Sequence, residues 1–137
     1  MESFLLFLLS GFPDFLSHLA LGIALLALFT FIYVKVTPYH ELELIRSGNV
    51  AAAASLSGAI IGFTIPLSQT ASQSVHVVDM LIWGGIALVV QLLAFFAVRM
   101  LIPGLAKDIP DGKIAQGIFL GVISVAVGML NAASMTE

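Results

Sequence analysis

Cysteine is missing from all 137 residues, and charge is scarce. Without thiols the chain can form no disulfide, no zinc–thiolate site and no cysteine nucleophile. Only 9% of residues are Asp, Glu, Lys or Arg, against roughly 25% in soluble domains. Five are basic and eight acidic, for a net charge of −3. That balance supplies no cationic surface, so no nucleic-acid partner is expected. Also lacking are a Gly-rich phosphate loop, a nucleophile elbow and a paired-acid constellation. An enzyme is therefore not expected, and neither is a cofactor or a bound metal. The first basic residue is Lys35, and Glu2 is the only charge in the opening apolar stretch. A signal peptide needs a basic start, so none is expected.

Most of the chain is apolar. Hydrophobic residues make up 60%, and the mean hydropathy is +1.11. A soluble fold of this size could not bury that much apolar surface, so lipid is the expected solvent. Four runs of about 20 residues are each long enough to cross the hydrocarbon layer. They predict helices over 14–36, 48–67, 79–100 and 113–133. Residues 1–13 are too short to span and are expected to lie in the interface, broken from the first long helix at Gly11 and Pro13. Pro66 is expected in the last turn of the second helix, before an outer loop over 68–78, and a loose tail is expected over 134–137.

The chain also repeats itself. Gly22-Ile23-Ala24-Leu25 returns as Gly85-Ile86-Ala87-Leu88, Asp14 as Asp79, Lys35 as Arg99 and Pro38 as Pro103. Ile45-x-x-Gly48 returns as Ile109-x-x-Gly112. The offset of roughly 64 residues signals a duplicated unit. The expected fold is thus an all-α membrane protein of four transmembrane helices, built as two tandem parallel two-helix repeats over 14–67 and 79–137. All five basic residues, Lys35, Arg46, Arg99, Lys107 and Lys113, fall beside the first and third loops. The positive-inside rule then puts both loops in the cytoplasm and both termini outside. A unit of two helices returns to its starting side, so the repeats are related by an axis along the membrane normal.

Small residues recur at helical spacing in two places. Ala54, Gly58 and Gly62 share one face of the second helix, and Gly117, Gly121, Ser124 and Gly128 share one face of the fourth. Such seams let helix backbones approach closely in lipid, either within one chain or between copies in a homo-oligomer. Gln91 is the one strongly polar residue expected near the bilayer centre. It suits an interhelical hydrogen bond, or a contact to a solute. Its counterpart in the first unit is Leu28. No ionisable residue falls in the middle of a span, which weighs against ion-coupled transport but not against a passive pore.

At the outer end, Asp14 with His18 and His76 with Asp79 could converge as a polar cluster, or serve only as caps and interfacial side chains. In the first loop, Leu42 and Ile45 are expected to dip into lipid while Glu41 and Arg46 face water. The mixed charges there, with Lys107, Asp108 and Asp111 in the third loop, are solvated or dock a soluble partner.

The run Ile45-x-x-Gly48-Asn49-Val50-Ala51-Ala52-Ala53-Ala54, then Gly58-x-x-x-Gly62, with Asp79 and Trp83 opening the next unit, resembles the domain-of-unknown-function 350 family of small bacterial inner-membrane proteins. The second copy, Ile109-x-x-Gly112-Lys113-Ile114-Ala115, carries Lys113 where Asn49 stands, so a role for that amide would be confined to one unit. The resemblance implies the bacterial inner membrane and no particular activity. Two functions remain open: a structural or partner-recruiting membrane module, and an oligomeric channel or facilitator for a small solute or ion.

Overall fold

The computed structural model describes residues 1–73 and 76–135, the side chain of residue 73 excepted. Ser74 and Val75 of the expected outer loop, and Thr136 and Glu137 of the expected tail, lie outside the described residues. Every regular element among the described residues is an α-helix: α1 Glu2–Ser10, α2 Phe12–Val36, α3 Glu41–Arg46, α4 Val50–Gln73, α5 Val77–Leu101, α6 Leu105–Asp108 and α7 Ile114–Ser134. Among the described residues four stretches are long and apolar enough to cross a membrane: Glu2–Val36, Val50–Ser72, Val77–Leu101 and Ile114–Ser134.

Both junctions expected to stop a helix are gentler than their sequence implies. Gly11 keeps right-handed helical values, φ −86° and ψ −9°, between α1 and α2. Pro13 falls in the first turn of α2, where a missing amide costs no intrahelical bond. At Pro66 the helix does not end, and α4 continues to Gln73, through most of the stretch 68–78 that was expected to be loop. Pro66 withdraws the amide that would serve the Gly62 carbonyl. That carbonyl instead lies against Gly128 of α7.

The core is where α4, α5 and α7 meet, and α4 against α7 is its tightest part. A Cβ added at Gly58, Gly62, Gly117 or Gly128 would overlap backbone atoms of Gly121, Ser124, Ala51 and Gly62 respectively. The two small-residue seams thus face each other within one chain. Hydrogen at those positions lets the backbones touch, where dispersion holds helices that gain nothing from the hydrophobic effect. Helix α2 is bound more thinly. Only Phe29 and Tyr33 of it are buried, held by a stack of Phe29 on Phe63 at 4.4 Å and an edge contact of Tyr33 to Phe95 at 5.8 Å.

Two turns at the basic end of the bundle share one geometry. Gly48 and Gly112 adopt φ of 90° and 80°, a left-handed conformation open to glycine. Around the first, Gly48 N–H donates to Ile45 O at 3.0 Å and Asn49 N–H to Leu44 O at 2.8 Å. Around the second, Gly112 N–H donates to Ile109 O and Lys113 N–H to Asp108 O, both at 3.0 Å. Each is the paired closure that satisfies the last carbonyls of a short helix, and it explains the recurring Ile-x-x-Gly.

Candidate functional site

Asn49 links those two turns. Its Oδ1 accepts from the Ala52 amide at 2.8 Å, capping α4. Its Nδ2 donates across to the carbonyls of Ile109 at 3.0 Å and Pro110 at 3.2 Å. Lys113, at the matching place in the second turn, instead pairs with Asp108 at 3.7 Å. The amide works once, as the departure at Lys113 implied.

Beside this link the chain builds a buried polar pocket. Thr37 ends α2 in an extended conformation, φ −68° and ψ 143°, which Pro38 demands of its predecessor. The chain doubles back, burying Tyr39, and Glu41 opens α3 against α4 with no exposure to solvent. This corrects the expectation that Glu41 faces water. Glu41, Leu44 and Ile45 fall at i, i+3 and i+4, so the edge of α3 that meets α4 carries the acid. Leu42 does face outward, at 50% exposure.

The Thr37 hydroxyl donates to Glu41 Oε1 at 2.5 Å. Glu41 Oε2 and the Tyr33 hydroxyl are buried with no hydrogen-bond partner in the protein. The buried Tyr39 hydroxyl has the Ser55 hydroxyl of α4 beside it as a hydrogen-bond partner, and Ser55, while donating to the Ala52 carbonyl at 3.0 Å, keeps its acceptor sites free. Desolvation raises the Glu41 carboxyl to about 7, against smaller lowering effects from Thr37 and from its own backbone amide. Burial and then the charge of Glu41 hold the Tyr39 phenol far above its ordinary value, so it stays protonated. Two open recesses flank this segment. One of 330 Å³ is lined by Lys35, Thr37, His40, Glu41 and Glu43 among others. The other, of 450 Å³, is lined by Tyr39, His40, Glu43, Ser47 and Pro110 among others.

Gln91 of α5 lies in the core, unexposed, donating Nε2 to the Ser124 carbonyl at 3.0 Å. The space it occupies exists because Gly62 has no side chain, as a Cβ there would meet Nε2 at 2.7 Å. Gln91 Oε1 has no partner in the protein. Leu28, its counterpart, is half exposed on the outside of α2.

At the opposite end, Asp14 and His18 line a groove of 610 Å³ between α2 and α4, with Thr64, Ser68 and Ser72. His18 Nδ1 lies 2.8 Å from the Asp14 carbonyl oxygen. His76 and Asp79 are exposed at the start of α5 and do not line that groove. Among the described residues no three His, Cys, Asp or Glu gather closely enough to hold a metal ion.

An all-helical fold with four membrane-length apolar helices, closed by backbone contact and a buried amide, defines a multi-pass integral membrane protein. The chain belongs to the family described as Domain of Unknown Function (DUF350), whose model matches residues 7–135. It is 42% identical over 129 residues to the UPF0719 inner membrane protein YjfL of Escherichia coli (strain K12), covering 94% of this chain and 98% of that one. Its likeness to the protein of the same name in Escherichia coli O157:H7 is the same. The UPF0719 transmembrane protein YshE of Bacillus subtilis (strain 168) is 28% identical over 121 residues, covering 87% of this chain and 90% of that one. No solved structure matches the chain significantly.

Proposed function

We propose that the protein is a non-enzymatic, homo-oligomeric module of the bacterial inner membrane that recruits a soluble partner at its basic end. On this reading the basic end is cytoplasmic, both termini lie outside, and the halves are tandem repeats. The matched closures at Gly48 and Gly112 support the repeat. The observation that carries the recruiting role is the pair of recesses on either side of the Tyr39–Glu43 segment, which share Pro38, Tyr39, His40 and Glu43. They combine apolar, cationic and anionic groups on one small surface, most of it between the first two candidate spans, with Val34 and Lys35 from the end of the first. Affinity purification from native membranes should retain a partner with the wild type and lose it with Glu43→Lys, while Ser72→Lys at the far end keeps it. Liposomes holding the pure protein should stay sealed to small ions. Equal retention by both variants, or leaky liposomes, would overturn the proposal.

A homo-oligomeric channel or facilitator is the second reading. The groove between α2 and α4 favours it, because Asp14, His18, Thr64, Ser68 and Ser72 carry polar groups along an otherwise apolar wall. It requires flux in liposomes that falls with His18→Leu. Impermeable liposomes would remove it.

A further inference from the structure

We infer that the basic end of the bundle encloses a proton-binding site, in which Glu41 is the acceptor and Tyr33 and Tyr39 form the rest of its polar shell, and that loss of the proton loosens α3 from α4. Two buried oxygens stand without a hydrogen-bond partner there, Glu41 Oε2 and the Tyr33 hydroxyl, and the Tyr39 hydroxyl has only Ser55 beside it. All three side chains are at least nine-tenths buried, at 0%, 1% and 5% exposure. They lie near enough for Glu41 to act electrostatically on both phenols. A proton on Glu41 removes the buried charge. It converts a buried carboxylate, which lacks a cationic partner, into a neutral acid with a hydroxyl to donate. The recess lined by Glu41, Lys35 and His40 gives the proton a route from water.

The charged and titratable groups around Glu41 are consistent with this assignment. Helix α2 contributes Tyr33 and, at the mouth of the recess, Lys35. The segment of Glu41 itself contributes Tyr39, His40 and Glu43, with Arg46 exposed at the end of α3. From α5, Arg99 acts on Tyr39. Helix α4 presents the neutral Ser55. Among the described residues only Glu41 is a fully buried carboxylic acid. The site binds and releases a proton with no other bond made or broken, and Tyr39 remains neutral throughout. When Glu41 ionises, Thr37 and one backbone amide are its only hydrogen-bond donors, and the carboxylate is better solvated in water. Helix α3 has six residues and packs mainly on α4, so it is the element that yields.

The test uses the full chain in lipid nanodiscs, with the proton as the only ligand. Infrared spectra of protein carrying labelled glutamate should show the carbonyl stretch of a protonated carboxyl that fades as pH rises through neutrality and is absent from Glu41→Gln. Amide exchange over residues 41–46, corrected for intrinsic base catalysis, should rise about ten-fold between about pH 6 and pH 8 in the wild type and stay flat in Glu41→Gln. Thr37→Val removes a donor to the ionised form, so it should move the midpoint to higher pH. That shift is read on a chain that keeps its acid, so it decides the matter even where Glu41→Gln does not fold. A carboxyl ionised throughout the range, exchange that is pH-independent in the wild type, or an unmoved midpoint in Thr37→Val would each overturn the assignment.

Discussion

Asn49 and Glu41 are near neighbours in sequence, and one was legible where the other was not. Asn49 follows Gly48 in a turn whose repeat flags it, and the substitution by Lys113 in the second copy marks its role as one-sided. Its three hydrogen bonds serve two tasks, capping α4 and bracing the turn before α7. Asn49→Ala should lower stability by about 2 kcal/mol, of which about 1 kcal/mol is the cap. Asn49→Ser keeps a capping oxygen without the reach to Ile109, so it should recover roughly the cap portion. Thermal unfolding of the three proteins in one detergent checks the order. Glu41 carried the opposite message in sequence, because a six-residue helix with two glutamates suits a wet surface as well as a buried edge. Its burial depends on how α3 docks, which the i, i+3, i+4 set of Glu41, Leu44 and Ile45 signals only weakly. The consequence for pH has a definite sign. The folded carboxyl holds its proton up to about 7, whereas its ordinary value is 4.5. The folded state therefore keeps a proton that the unfolded state has released. Stability is fully present below about 4.5 and falls as pH rises towards about 7, by up to roughly 3 kcal/mol. Melting temperatures measured across that window should decline in the wild type and stay level in Glu41→Gln.

Among the helices, the ends near Gly48 and Gly112 fall close to expectation, and the ends near Pro13 and Pro66 do not. The first pair are closed by local hydrogen bonds around a left-handed glycine, so sequence and geometry coincide. The second pair depend on surroundings. A proline stops a helix in water because the carbonyl it deprives must find another partner. At Pro66 α4 continues, and the deprived carbonyl of Gly62 lies packed against Gly128 of α7. The seams themselves were legible from their spacing. That they face each other inside one chain was not, because spacing on a helix does not name the helix opposite. The packing gives a sharp contrast between glycines. Gly58→Ala places a methyl into the backbone of Gly121 and should destabilise by about 1–3 kcal/mol or more. Gly85→Ala meets nothing within 4 Å and, as a glycine replaced inside a helix, should be neutral or stabilising by up to about 1 kcal/mol. Unfolding temperatures in a common detergent test the pair, and equal losses would mean that the α4–α7 contact is looser than the backbone approach requires.

For the molecule as a whole, the bilayer sets the order of events along the axis. Lys35, Arg46, Arg99, Lys107 and Lys113 sit at one end, where the capped turns, the Asn49 link and the Glu41 pocket also lie. The other end has no Lys or Arg and is more open, with a groove between α2 and α4 and few buried residues on α2. If the positive-inside rule governs insertion, the tightly built end faces the cytoplasm and the loose one faces out. A chain without native cysteine makes this directly measurable. Ser47→Cys lies exposed in the first capped turn and Ser72→Cys lies exposed near the far end of α4. A membrane-impermeant maleimide added to intact spheroplasts should label Ser72→Cys at once and Ser47→Cys only after the membrane is opened. The reverse pattern would turn the protein over, and would set the recesses beside Tyr39 and the acid of Glu41 against the periplasm instead of the cytoplasm.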